Sequence, residues 1–276
     1  MKTDTLAPIG PERRVLVGST RLVVPDVDWS VYETWVDSLP ERSPIRMAFD
    51  GSNLEIMTKS RDHEKYRQLL GYAVFEIAKV LDLPLGSYGE MTWKRPAIGR
   101  GIEADQCYYV ELQKIEAAAK IKGKHAARRM PSPDLAVEID ISPPEADRPG
   151  IYAAMKVAEL WRFDGEKVVI ERLGRDGRYR PALASRLLKV RADELTHWLS
   201  VEDTRNETRW AKRLAAWLEA RWGGDALPTT ALVGCSACKH GPSPIAKLGS
   251  SAERGRTSHL RQGRARRSAS RPVRVR

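Results

Sequence analysis

The segment PDLAVEIDIS (Pro133–Ser142) places three carboxylates, Asp134, Glu138 and Asp140, at even spacing within a run of strand-forming residues. Side chains alternate across a strand. The three acids and Ala136 therefore share one face, and Leu135, Val137, Ile139 and Ile141 share the other. Like charges crowded on one face repel, and burial disfavours their ionised forms. A divalent cation relieves both problems, and Mg²⁺ takes oxygen ligands of this kind. An edge strand with its acids turned to water is the plainer alternative. A second acid, Asp105, lies in GIEADQCYYV (Gly101–Val110), where a Gly-containing loop gives way to strand formers. A carboxylate at that strand end, beside Glu138 on a neighbouring strand, would complete a two-carboxylate metal site. Glu103 is either an outer acid of that site or an ordinary loop acid.

The elements that must position these residues follow from periodicity. Ile45, Met47 and Phe49 alternate with polar residues, Asp50-Gly51-Ser52-Asn53 forms a turn, and Leu54 and Ile56 resume the alternation, which predicts a hairpin. Tyr66, Leu69, Leu70, Ala73, Val74, Ile77 and Val80 recur at helical spacing, with Asp62 as the expected cap and Pro84 as the stop. Strands are expected over 85–94, 105–110, 135–141, 159–163 and 167–172, with a turn at Asp164-Gly165. Short helices are expected over 151–157 and 192–199, and a longer one over 204–222. Strands and helices interleave, so the class is α/β, or α+β with a mixed sheet.

The chain has 276 residues and a formal net charge of +11. That charge is unevenly distributed. Residues 223–276 hold eleven Lys and Arg against two acids, so this tail carries nine of the eleven net positive charges. Its Gly, Ser, Pro, Ala and Arg composition cannot bury enough apolar surface to offset chain entropy, which predicts a disordered basic extension. The remaining domain, 15–222, is nearly neutral, so basicity is no argument that the whole protein binds nucleic acid. No stretch approaches the ~18 apolar residues of a membrane span. The N-terminus has no apolar signal region, and three cysteines make no disulfide framework, so the expected compartment is the reducing cytoplasm. Cys107 reads as a buried small hydrophobe. Cys235, Cys238, His240 and His259 make a poor zinc set within a disorder-like segment. Residues 114–129 carry seven Lys, Arg and His against one Glu, either a phosphate-guiding surface or a solvated basic face.

Taken in order, Trp29–Glu64, Gly101–Val110, Pro133–Ser142, Ile151–Glu166 and Glu207–Trp222 resemble the Uma-type family of putative restriction endonucleases, a branch of the PD-(D/E)xK nuclease superfamily. The resemblance runs from about residue 15 to 222 and omits the tail. It implies a restriction-endonuclease-like fold, a central mixed sheet flanked by helices, and metal-dependent hydrolysis of DNA phosphodiesters. It places Asp105 as the first metal-binding acid, although Ala104 stands where Pro is usual, and Glu138 as the acid of the (D/E)xK element. Asp140 occupies the position where the wider superfamily has Lys. This branch more often carries its Lys on the following helix, four residues before a Tyr. The Tyr is Tyr152, so that position is Arg148.

What the resemblance implies for roles is specific. Asp105 and Glu138, with the main-chain carbonyl of Ile139, would hold Mg²⁺, for which Mn²⁺ could substitute. Asp140 would serve a second ion or an outer-shell water. Arg148 would offset charge on the reacting phosphate, but it stays protonated and cannot act as a base. Lys156, where the family usually has Gly, is either a substitute cation or a surface Lys. Glu64 is either an accessory acid or a favourably placed helix N-terminal acid, and His63 reads as a capping or packing residue. Three functions compete: a Mg²⁺-dependent DNA endonuclease, a nuclease-fold protein that binds nucleic acid without cutting it, and an interaction module with a solvated acidic face. Whether a Lys or Arg reaches the Asp105–Glu138 pair separates the first two. The expected association is a homodimer through sheet edges or terminal helices.

Overall fold

A computed structural model describes residues 16–40, 43–123 and 126–223, all within one compact unit. The basic tail and the four Cys and His residues considered for zinc lie outside the described residues. Alternating apolar residues build two sheets. The first has the order β1-β3-β2-β6-β5, from β1 (Thr20–Val24), β2 (Ile45–Phe49), β3 (Leu54–Thr58), β5 (Thr92–Arg95) and β6 (Arg100–Glu103), and its pairings are all antiparallel. The second has the order β11-β10-β9-β8-β7-β4, from β4 (Gly86–Ser87), β7 (Gln106–Tyr109), β8 (Leu135–Ile139), β9 (Glu159–Phe163), β10 (Val168–Leu173) and β11 (Tyr179–Ala182). In it, β8 and β9 run parallel and the other pairs antiparallel, which makes the sheet mixed. A parallel pair needs a crossover, and α5 (Arg148–Ala154) supplies it. The short α4 (Ala126–Arg129) precedes β8, and the helix expected over 192–199 is α6 (Ala192–Thr196) continued by a wider turn over His197–Val201.

The mixed sheet is covered on both faces. Leu135, Val137 and Ile139 of β8 pack under α2 (Arg61–Val80) and α7 (Glu207–Trp222) with Leu69, Val74, Trp210 and Leu214. Ala136 and Leu160 face the other way, toward α3 (Leu112–Lys120), α5 and the first sheet through Ala118, Tyr152, Ala48, Trp93 and Ile102. The alternation predicted for β8 is therefore present, but its acids face a covered interior, so the water-facing edge strand is excluded.

Several local expectations are corrected. Ser60 caps α2, accepting from the His63 amide at 3.1 Å, while Asp62 accepts from the Val17 amide at 2.8 Å. The helix ends at Val80, before Pro84, and Asp82 follows in the left-handed region at φ 50°. The single strand expected over 85–94 is two strands in different sheets, parted by a turn at Gly89 with φ 52°. The loop expected around Gly101 is β6. Gly101 is required there, because a Cβ would lie 2.2 Å from the hydroxyl of Tyr32 on α1 (Trp29–Ser38), and that ring is buried and stacked on Phe49. Gly101→Ala is expected to destabilise the protein by about 1–3 kcal/mol, read as a lowered urea midpoint.

Candidate active site

Chain geometry brings the acids together where the two sheets meet. Asp105 lies in the link between β6 and β7, where the chain leaves one sheet for the other. Glu138 is in the last turn of the β8 pleat, Asp140 follows its end, and Arg148 opens α5. Asp105 Oδ2 accepts from the amide of Ile139 at 2.9 Å, which sets it beside Glu138. Exposures of 1%, 0% and 6% for Asp105, Glu138 and Asp140 exclude a solvated acidic face.

Arg148 reaches the acids and is itself buried. Its Nη1 donates to Glu138 Oε2 and lies 3.7 Å from Asp140 Oδ1. Its Nε and Nη2 both donate to Glu55 Oε1, Nε at 3.1 Å. Glu55, on β3, also accepts from Arg21 at 2.7 Å and from the amides of Glu145 and Ala146 at 2.7 and 3.2 Å. Glu55 thus fixes Arg148 and the segment leading into α5. Tyr152 completes the ring, its hydroxyl donating to Glu138 Oε1.

On the other side of Asp105 sits His63, fully buried, its Nε2 2.9 Å from Asp105 Oδ2. The ring's Nδ1 lies 3.4 Å from Glu64 Oε1, and Glu64 meets Lys59 at 3.2 Å and Arg67 at 3.0 Å. Lys59 in turn pairs with Glu90, which also pairs with Arg46.

The charges are strongly perturbed. Burial raises Glu138, and repulsion from Asp105 and Asp140 adds to this, against the pull of Arg148. Burial also raises Asp140, against Arg148 and Arg21. Burial opposes ionisation of Asp105, but the hydrogen bond and charge of His63 outweigh it and hold the carboxyl low. Burial opposes the His63 cation, yet the hydrogen bond to Asp105 and the neighbouring Glu64 carboxylate carry it from 6.5 up to about 9. A group raised on folding contributes stability that is complete below its unfolded value and lost as pH rises through its folded value. The stability difference between the parent and His63→Leu is therefore expected to be largest below pH 6.5 and to close as pH passes about 9 in paired urea titrations.

The other expected site residues are dispersed. Asp134 accepts from the amides of Val110 and Glu111 and pairs with Lys114, at the far end of β8 from Asp140. The basic segment 114–129 begins past the end of β7 that lies beside Asp134; within it Lys114 pairs with Asp134 and Arg128 with Glu33. Lys156 is exposed and follows α5 at φ 60°, a conformation suited to Gly. Among the described residues Glu64 contacts Lys59, His63 and Arg67, and His63 in turn reaches Asp105. Glu103 pairs with Arg46 at 3.0 Å, and burial carries it up to about 7. Burial pushes the Cys107 thiol up to about 12, in keeping with a packing role. A cavity of about 650 Å³ lined by His197, Trp198 and Trp217 borders none of these acids.

Glu55 and the His63–Asp105 contact were missed from the sequence, because their partners are 93 and 42 residues away. One signal was present: Glu55 interrupts the apolar run Leu54–Met57 in the middle of a strand.

The donor set suits a hard divalent cation. Asp105 Oδ1 and both oxygens of Asp140 are buried and accept no hydrogen bond. Buried polar atoms are normally paired, and although Asp140 Oδ1 lies 3.7 Å from both Arg21 and Arg148, carboxylate oxygens without a hydrogen bond are what such an ion would take up. Among the described residues, no group of three or more His, Cys, Asp or Glu side chains is already gathered around a common metal position. Two acids with a main-chain carbonyl and solvent remain a sufficient set for Mg²⁺.

A family model described as "Putative restriction endonuclease", Uma2, matches residues 29–202, more than half of the chain. No curated protein matches it. Among solved structures it is similar to a protein of Anabaena variabilis described as a putative nuclease belonging to DUF820. The two share 15% identity with a TM-score of 0.44, over 63% of this chain and 99% of that one.

Proposed function

The chain belongs to the Uma2 family, described as putative restriction endonucleases, and from that premise we propose that it is a metal-dependent endonuclease hydrolysing DNA phosphodiester bonds. The observation carrying this reading is the set of buried oxygens on Asp105 and Asp140 that accept no hydrogen bond, beside an arginine that reaches Glu138. Asp105, through Oδ1, and Glu138 would hold Mg²⁺ with the carbonyl of Ile139, and Mn²⁺ could replace it. Asp140 would hold a second ion or an ordered water. When bound, the cation supplies Lewis-acid polarisation of the scissile phosphate. Arg148 is held rigidly by Glu55 and Glu138, so its charge is preorganised for the negative charge that develops on the phosphate oxygens. It remains protonated throughout.

The second reading, binding without cutting, is favoured by one observation. Arg148 stands where the family resemblance calls for Lys, and its guanidinium is already committed to Glu55 and Glu138. Incubation of the full chain with supercoiled plasmid separates the two. The nuclease reading expects nicked circles with Mg²⁺ or Mn²⁺ and none with EDTA. Intact plasmid that is nonetheless retarded on a gel would establish the second reading instead.

A further inference from the structure

We propose that His63, steadied by Glu64, is a positioning residue that sets the rotation of the Asp105 carboxylate so that Oδ1 is presented to the metal. This inference rests on the nuclease reading above. Two donors, His63 Nε2 and the Ile139 amide, each 2.9 Å away, converge on the same oxygen, Oδ2. The other oxygen, Oδ1, is buried and has no donor. One hydrogen bond tethers a carboxylate but lets it turn. Two donors from different directions on one oxygen fix the plane and decide which oxygen is left free.

The imidazole is held as firmly as the acid it holds. Its backbone amide is bonded to the Ser60 cap, its ring is fully buried, and the Glu64 carboxylate faces Nδ1 at 3.4 Å, a charge contact without a hydrogen bond. Glu64 is anchored in turn by Lys59 and Arg67. The start of α2 is thereby tied to the link between β6 and β7, and the acid's orientation is fixed from α2 by His63. Metal-ligating carboxylates depend on such outer partners for affinity.

The test is Mn²⁺ titration of the full chain by calorimetry, with kcat and KM for DNA cleavage measured alongside. His63→Leu is expected to weaken Mn²⁺ binding about 10–100-fold and to lower kcat while leaving KM for DNA unchanged. His63→Gln, whose amide can still donate to Oδ2, is expected to recover most of both. If His63→Leu fails to fold, Glu64→Gln decides, because its side chain is 41% exposed and the change removes the negative charge facing Nδ1 without emptying the core. It is expected to weaken Mn²⁺ binding several-fold at an unchanged melting temperature. A folded His63→Leu or Glu64→Gln with parental Mn²⁺ affinity overturns the role of His63. A parent that neither binds Mn²⁺ nor cuts DNA overturns the nuclease reading itself.

Discussion

Arg148→Met is expected to cost the fold about 3–5 kcal/mol and to abolish cleavage. Removing one partner of a buried ion pair leaves the other charge uncompensated in a medium that solvates it poorly. Here the loss is compounded, because Arg148 serves Glu138 and Glu55 by direct hydrogen bonds and Asp140 at 3.7 Å. Arg21 would remain on Glu55 and within 3.7 Å of Asp140, so the damage centres on Glu138. Arg148→Lys separates stability from chemistry. A single ammonium keeps the charge but cannot reproduce the fork that spans Glu55 and Glu138, so stability is expected to fall by less than with Met. Its cleavage rate is expected to equal or exceed that of the parent, since Lys is the residue the family resemblance places there. Urea denaturation and plasmid nicking on the same three proteins provide the check.

Asp140→Asn is expected to make the protein more stable and inactive. Both oxygens of Asp140 are buried without a hydrogen bond, and burial already works against its charge. Neutralising it gives up the attraction of Arg148 and Arg21 but removes the larger cost of burying the charge together with the repulsion from Asp105, and it leaves Arg148 its two hydrogen-bonded partners. A gain of about 1 kcal/mol is the scale of such a trade between stability and activity, equivalent to about 2–4 °C for a domain of this size. Loss of an acid that supports bound metal removes several kcal/mol of transition-state stabilisation, or about 10³-fold in rate. A structural acid would behave in the opposite way, with stability falling and activity following only as the protein unfolds. Melting curves and initial nicking rates of the two proteins distinguish these outcomes.

Much of this arrangement was legible where chemistry is local. The turn at Asp50-Gly51 identified the β2–β3 hairpin, and Gly51 does take φ 100°. The spacing of Tyr66, Leu69, Leu70, Ala73, Val74 and Ile77 gave the buried face of α2. Alternation in β8 separated its acids from Val137 and Ile139. The family resemblance gave Asp105, Glu138 and Arg148, and the fold brings them together. What escaped was set by tertiary geometry. The segment Leu85–Lys94 reads as one strand, and the left-handed turn at Gly89 divides it between two sheets. Asp134 follows the same alternation as Glu138 and Asp140, yet it caps the far end of the strand with Lys114. His63 has the sequence position of a capping residue, and its ring instead holds Asp105. Glu55 could be noticed as a lone acid in an apolar strand, but its pairing with Arg148 needed the fold.

The most direct measurement is the initial nicking rate of supercoiled plasmid by the full chain and by Asp105→Asn, in Mn²⁺, with melting temperatures recorded for both. The parent is expected to nick in a metal-dependent manner, and the Asn variant, matched in volume and folded, to lose that activity by about 10³-fold. Equal nicking by both proteins would contradict the assignment of the buried acid cluster as the catalytic centre.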